Sequence, residues 1–330
     1  MKLKEYSDFT EKGKIFDIHT IDNKDELDGL ILSVKSMKAK PFYRGVSEAK
    51  YKIYTSAQRE WITKELSNTK LKFDDFIEIL ISEVKSQRNN LMKRYFKSLD
   101  YNVNDLLALS FLQHYGAPSP LLDITSNIYK SLFFCFYKMS FIPSENIIDN
   151  YTSLYVFDDI RTICSLLPST RNVKDMTYKK LKDTPTLGSG RINLDDISKS
   201  NGDNLYETLL RYEKLREQRL ILIDDLLRYS LRALSKEKSF YLPSITAPNL
   251  NVLAQDGAFI VYINDVKPLE DFYHDEKAVK LQCYNIHKSL KEYVFEKYLK
   301  SRSINEDTLF PQEESIAKDS YIGFLRRLNK

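Results

Sequence analysis

Apolar positions recur every three or four residues along much of the chain, the period of helices with one buried face. Residues 25–37 (DELDGLILSVKSM) put Leu27, Leu30, Ile31 and Val34 on one side. Residues 73–96 repeat the pattern with Phe76, Leu80 and Val84, widened by Ile77, Ile81 and Leu91. A longer helical run extends from Leu205 to Leu234 with charges of mixed sign between its apolar positions, and Pro243 and Pro248 follow it. Residues 286–298 predict a further helix. Shorter apolar or alternating stretches predict strands: one opened by Pro41 and carrying Tyr43-Arg44-Gly45, an extended piece at Tyr51–Thr55, then Leu121–Thr125, Leu154–Phe157 and Ala258–Tyr262. Helical segments outnumber strands, yet the strands hold the polar motifs. The pattern therefore predicts an α+β fold, a small mixed β-sheet core surrounded by helices.

The chain is organised around Leu109–Thr125, LSFLQHYGAPSPLLDIT. Leu106, Leu107, Phe111 and Leu112 read as the end of an amphipathic helix, with Asn104 placed to cap its start. Gly116 stands where a glycine ends a helix in a left-handed turn. Ala117 and Ser119 precede prolines and are pushed towards extended backbone. Leu121–Thr125 follows as a short buried strand, and Ser126 or Asn127 can cap a second helix bearing Ile128, Leu132, Cys135, Phe136 and Met139 on one face. Around this centre, residues 1–24 read as a polar entry segment, residues 25–330 as one domain, and residues 161–241 as a helical insertion within it.

Composition narrows the function classes. Hydrophobic residues make up 42% of the 330 and charged residues 29%, the balance of a soluble globular protein. Cys135, Cys164 and Cys283 are far apart and odd in number, which argues against a disulfide framework and for a reducing compartment. His19, His114, His274 and His287 are scattered, so no metal site is expected. The opening MKLKEYSDF has no apolar core of a secretion signal, and no apolar run is long enough to cross a bilayer, so the expected location is the cytoplasm and no membrane partner is expected. With 50 basic and 46 acidic residues the chain is not pervasively cationic, and nucleic-acid binding would have to be local. Nine glycines, with neither GxGxxG nor GxxxxGK[ST], set aside Rossmann and P-loop readings.

The polar islands are the candidate chemistry. Arg44 follows a buried strand start, so its donors need partners: a ligand phosphate or carboxylate held bidentately, or an internal carboxylate, foremost that of Asp123. His114 is a candidate acid-base group or simply a cation at a helix C-terminus. Asp123 and Thr125 share one strand face, as a pocket wall or as caps for the next helix. Tyr43, Gln113, Tyr115 and Gln255 are candidate ligand contacts. Lys85, Arg88, Lys93, Arg94 and Lys97 form a basic helix end, either a solvated face or a phosphate-contacting patch for DNA or RNA.

Four of these islands carry a resemblance. QHYGAPSPLLDIT is similar to the central signature of the FRG domain family, named for its Phe-Arg-Gly motif. Phe42-Tyr43-Arg44-Gly45, Leu253–Phe259 (LAQDGAF) and Thr308-Leu309-Phe310-Pro311 resemble three further motifs of that family, in the same order. The arginine often found before LLD is Pro120 here, and the tryptophan after it is Ile124. The family resemblance implies a bacterial or phage context, near defence or toxin systems. A looser similarity extends to ADP-ribosyltransferases, in which a first-strand arginine grips the phosphates of NAD, a middle strand supplies Ser or Thr, and a later strand supplies a catalytic glutamate. Arg44, Thr125 and Gln255 occur in that order, but near Gln255 the acid is Asp256 rather than a glutamate. The resemblance implies a pocket for NAD or a nucleotide-like small molecule, with Arg44 on phosphate, Thr125 on a ribose hydroxyl, and Asp123 or His114 in acid-base work. The alternative from another class is a non-catalytic sensing or nucleic-acid-binding module whose partner is a phage or host component.

Overall fold

In the computed structural model, seven strands form one sheet in the order β1-β7-β4-β2-β3-β6-β5. The structure describes residues 2–37, 41–86, 94, 105–157, 239–242, 250–277 and 280–312. The strands are β1 (Asp17–Ile21), β2 (Phe42–Val46), β3 (Leu121–Thr125), β4 (Tyr151–Phe157), β5 (Ser239–Leu242), β6 (Gly257–Tyr262) and β7 (Gln282–His287). β1 pairs with β7 in parallel, and the other neighbours are antiparallel, so the sheet is mixed and the fold α+β. The interior strand β4, between β7 and β2, is buried along its whole length.

The first face of the sheet carries two separate helical cores. At the β4–β2 end, α2 (Lys24–Ser36) and α6 (Ile128–Phe136) press Leu27, Ile31, Leu132 and Phe136 onto Tyr43, Leu154 and Val156. At the β3–β6 end, α3 (Ser56–Thr63), α4 (Phe73–Ser86) and α5 (Asp105–His114) pack Trp61, Ile77 and Leu109 over Leu121, Phe259 and Val261. The opposite face is closed by α1 (Phe9–Ile15) and α8 (Leu269–Lys277), around Tyr155, Ile124 and Ile260. Between α6 and α8, α7 (Leu250–Ala254) leads into β6.

Local chemistry explains the element ends. Asn127, not Ser126, caps α6: its Oδ1 accepts from the backbone N–H groups of Tyr129 at 3.0 Å and Lys130 at 3.4 Å. Gly116 has a φ of +75°, the left-handed conformation of a residue just past a helix end, and the Ala117 N–H closes on the Leu112 carbonyl at 2.9 Å. Gly45 is demanded by packing. A Cβ there would lie 2.0 Å from the Ser131 carbonyl oxygen and 2.8 Å from the Cys135 nitrogen, so α6 rests directly on the β2 backbone.

Two expectations change. The entry segment 1–24 contains α1 and the edge strand β1, so it is built into the sheet. Ile286 belongs to β7 rather than to a helix, because Cys283, Asn285 and His287 alternate with Gln282, Tyr284 and Ile286 as a strand requires. The helical turns begin only at Lys288 and continue through α9 (Lys291–Val294) and a π-turn at Phe295–Leu299. The run Leu205–Leu234 and nearly all of the insertion 161–241 lie outside the described residues, as does Asn104.

The second face buries ionisable groups. Lys12 of α1 is fully buried, and its Nζ donates to the Ala49 carbonyl (2.8 Å), Ser153 Oγ (2.7 Å) and Asn285 Oδ1 (2.9 Å), which matches its three protons. Glu270, in the first turn of α8, accepts from Tyr6 Oη at 2.7 Å and from the Ile53 N–H at 3.1 Å. Burial pushes its carboxyl up to about 7.

Two predictions follow from these contacts. Gly45→Ala should destabilise the protein by about 2–3 kcal/mol through overpacking. Gly29→Ala, with nothing within 4 Å of the added methyl and a helical backbone, should gain about 0.5–1 kcal/mol, and urea unfolding of both variants checks the contrast. Folded Glu270 holds its proton to a higher pH than unfolded Glu270, so this contribution is complete below the unfolded value of 4.5 and is lost as pH rises through about 7. The stability of Glu270→Gln relative to the native protein should therefore rise by about 3 kcal/mol across that window in denaturation measured at several pH values.

Candidate functional site

The β2–β3 ladder consists of one residue pair, Tyr43 with Thr125. Beyond it the two strands part: β2 continues along β4 and β3 along β6. A cavity of about 250 Å³ lies at this parting, between the two helical cores. All four motifs reach it. β2 supplies Tyr43, Arg44 and Gly45, the end of α5 supplies Gln113 and His114, and β3 supplies Asp123 and Thr125. Gln255 arrives from the turn before β6, and Phe310 from the Thr308–Pro311 motif after α10 (Glu306–Leu309). The cavity is small against the roughly 300–1,000 Å³ of sites that enclose a drug-sized ligand, so it has room for a fragment of such a molecule rather than the whole.

Arg44 pairs in register with Tyr155, yet its guanidinium turns to the gap between the parted strands. Its Nη1 donates to the backbone carbonyl of Asp123 at 2.6 Å. The expected internal pairing with the Asp123 carboxylate is not formed; the carbonyl takes its place because the parting leaves that backbone acceptor without a strand partner. Arg44 Nε is buried and makes no hydrogen bond. Burial lowers the guanidinium pKa, the Asp123 charge works against that, and Arg59 adds to it. The fork thus keeps donors unused in a place from which water is largely withdrawn.

The Asp123 carboxylate is held instead by Gln113, whose Nε2 donates to Oδ2 at 2.5 Å. Gln113 is itself fixed by Ser56, whose Oγ lies 3.2 Å from Gln113 Oε1. An uncharged amide leaves the carboxylate its full charge while setting its orientation. Asn251 Nδ2 stands 2.9 Å from His114 Nδ1. An amide NH₂ can only donate, so Nδ1 accepts and the neutral ring carries its proton on Nε2. Burial lowers the His114 pKa and Asp123 offsets part of that, so the ring favours the neutral form over the cation expected at a helix end.

Thr125 and Gln255 have structural duties. Thr125 Oγ1 donates to the Gln255 carbonyl at 2.6 Å and accepts from the Asn127 N–H at 3.0 Å. Its one hydrogen is committed, so a ribose hydroxyl would find only an acceptor there. Gln255 Nε2 donates to the Leu309 carbonyl at 3.1 Å and ties the late motif to the cleft. Tyr115 is 69% exposed and does not line the cavity, because the left-handed turn at Gly116 ends α5 before it. Asp256 also stays out: its carboxylate bonds Lys130 at 2.7 Å and Asn127 at 3.0 Å. Asp123 is therefore the one acid among the described lining residues.

Of the basic patch, Arg94 is exposed and Lys85 is half-buried, while Arg88, Lys93 and Lys97 lie outside the described residues. Sequence reasoning missed Asn251, Ser56, Phe134 and Arg59. Asn251 and Phe134 sit in helices whose polar or apolar faces give no sign of a distant cleft. Ser56 and Arg59 carried a readable signal, a Thr55–Gln58 capping box that starts a helix just after Tyr51–Thr55. No cluster of His, Cys, Asp and Glu fit to hold a metal occurs among the described residues, and none of their helices is long and apolar enough to cross a membrane.

Arg44→Ala tests the carbonyl assignment. It strips the Asp123 carbonyl of a donor but also removes a buried, under-bonded cation, so unfolding free energy should change by no more than about 1–2 kcal/mol. A loss of about 3–5 kcal/mol in urea denaturation, the cost of breaking a buried ion pair, would contradict the geometry.

No curated protein and no solved structure matches the chain. The model of the FRG domain matches residues 39–141, the stretch that carries β2, the end of α5, β3 and α6. Residues 39–141, which build most of the cleft, carry an FRG domain.

Proposed function

We propose that the cleft binds the phosphate-bearing end of a nucleotide-like small molecule, with NAD as the leading substrate and ADP-ribosyltransferase-like chemistry at Asp123. The observation that carries this reading is the Arg44 guanidinium, anchored by one bond to a carbonyl and left with an orphaned, buried Nε beside a carboxylate. A phosphate oxygen pair would accept from that fork and offset its desolvation.

The chemistry divides among few groups. Arg44 holds phosphate. Asp123, oriented by Gln113, stabilises positive charge as the C1′–N bond to nicotinamide breaks and its electron pair leaves with the ring. A nucleophile oxygen then bonds to C1′, and its proton passes to Asp123. His114 contributes its Nε2–H as a neutral donor. Asp123 stands in for the glutamate that ADP-ribosyltransferases place on a later strand, since Asp256 is engaged with Lys130 and Asn127. The family resemblance supports a role in bacterial phage defence or as a toxin. The alternative, a non-catalytic sensor using the same cleft, keeps the binding and drops the bond cleavage.

Released nicotinamide, measured with purified protein and NAD in the presence and absence of phage-infected lysate, separates the two. The transferase reading expects release, lowered about a hundredfold or more by Asp123→Asn. Arg44→Lys should also lose most activity, because an ammonium keeps the charge but not the planar fork. Binding of ADP-ribose with no nicotinamide in either condition would favour the sensor.

A further inference from the structure

Arg44 is not the only cation within electrostatic reach of Asp123. Arg59 lies in α3, three residues after Ser56 and so on the same side of that helix. That side is the one α3 turns to the cleft wall: Ser56 Oγ contacts Gln113 at 3.2 Å, and Gln113 holds Asp123. The start of α3 is rigid. Thr55 and Gln58 form a capping box, the Ala57 N–H donates to the Ser119 carbonyl at 3.0 Å, and Gln58 Nε2 reaches the Lys267 carbonyl at 2.8 Å. Arg59 is thus presented from a fixed turn, with an edge left to solvent. Its guanidinium is close enough for Asp123 to favour its charge and for it to disfavour the charge on Arg44.

The balance at this point is two guanidiniums and one carboxylate. Arg44 meets only the carbonyl of Asp123, and its Nε has no acceptor. Like charges held together without matching anions are unfavourable, and more so where water is scarce. A single phosphate at Arg44 satisfies the inner cation alone. A second phosphoryl group, one linkage further out, would meet Arg59 at the rim.

We infer that Arg59 is a second anion-binding residue at the mouth of the cleft, and that together with Arg44 it selects ligands carrying a diphosphate over those carrying one phosphate. This rests on the reading of the cleft as a phosphate site and narrows its ligand class. The cavity size agrees with it: about 250 Å³ takes one end of the molecule and leaves the rest outside. Arg59 does not line the cavity itself but follows Ser56 by three residues on the helix that contacts Gln113 of its wall.

The test is isothermal titration of ADP-ribose, AMP, inorganic pyrophosphate and inorganic phosphate into the native protein, Arg59→Gln and Arg44→Gln. Arg59 is an exposed helical position, so Arg59→Gln should melt like the native protein. The expected result is that the native protein binds the diphosphates about tenfold or more tighter than their monophosphate counterparts, the size of one charge-assisted contact. Arg59→Gln should remove that preference while leaving AMP affinity within about twofold of native. Arg44→Gln should weaken all four. Unchanged ADP-ribose affinity in Arg59→Gln, with Arg44→Gln weakened, would overturn this inference and leave the cleft reading standing. A native protein that binds none of the four overturns both.

Discussion

One residue pair, Tyr43 with Thr125, is all that joins the two halves of the sheet, and the cleft exists because the ladder goes no further. What keeps the strands apart is steric and polar at once. On the β2 side, α6 sits so close that even a methyl at Gly45 has no room, which commits β2 to α6 and β4. On the β3 side, five residue pairs bind Leu121–Thr125 to β6. The Asp123 carbonyl left at the parting needs a donor, and Arg44 provides it. The same guanidinium thus closes a gap in backbone hydrogen bonding and still presents donors to the cavity, because one carbonyl uses only part of a five-donor fork.

The motifs surround this parting in a way that assigns each a physical task. Gln113 orients Asp123, and Ser56 orients Gln113. Thr125 couples the end of β3 to the start of α6 and to the turn before β6. Gln255 carries that coupling to Leu309, so that Phe310 of the late motif lines the cavity beside Phe134. The second face supports the arrangement from behind. Lys12 joins α1 to β4 and β7 through three acceptors, and Glu270 joins α8 to Tyr6 and Ile53. Buried polar groups of this kind specify a unique packing only when fully bonded, and Lys12 meets that condition.

Much of this was legible from residue types. Gly116 announced a helix end because few other residues accept a positive φ, and Leu121–Thr125 announced a strand with Asp123 and Thr125 on one side. The convergence of Arg44, His114, Asp123, Thr125 and Gln255 on one cavity followed from reading polar islands in apolar elements as one site. Partners were less legible, since they depend on which strands become neighbours. Nothing near Arg44 in sequence says that its acceptor is a backbone carbonyl 79 residues away, or that the Asp123 carboxylate goes to Gln113. The strand order β4-β2-β3-β6 interleaves distant segments, so no local period encodes it. β7 was hidden because Cys283, Asn285 and His287 are not typical strand residues, and the edge position of β1 because residues 17–21 are mostly solvent-facing.

The electrostatics of the cleft bear on why such an arrangement persists. A structural arginine whose only task were to satisfy one carbonyl would be an expensive solution, since a neutral amide side chain can donate the same bond without a charge to desolvate. A structural aspartate would be better placed at the rim, where water solvates it. Here the cation bonds the carbonyl of the same aspartate, a second cation lies within electrostatic reach of both, and an uncharged amide fixes the carboxylate without neutralising it. The buried, under-bonded guanidinium costs the ligand-free protein stability, and in the proposed complex an entering anion would offset that cost. Perturbed ionisable groups gathered in a cleft are a mark of function more often than of architecture. In this chain the architectural work of holding β2, β3 and α6 together is done by other groups, Gly45, Thr125 and Asn127. That division leaves Arg44, Asp123 and Arg59 without a comparable architectural task, which is the ground for the binding role proposed for them.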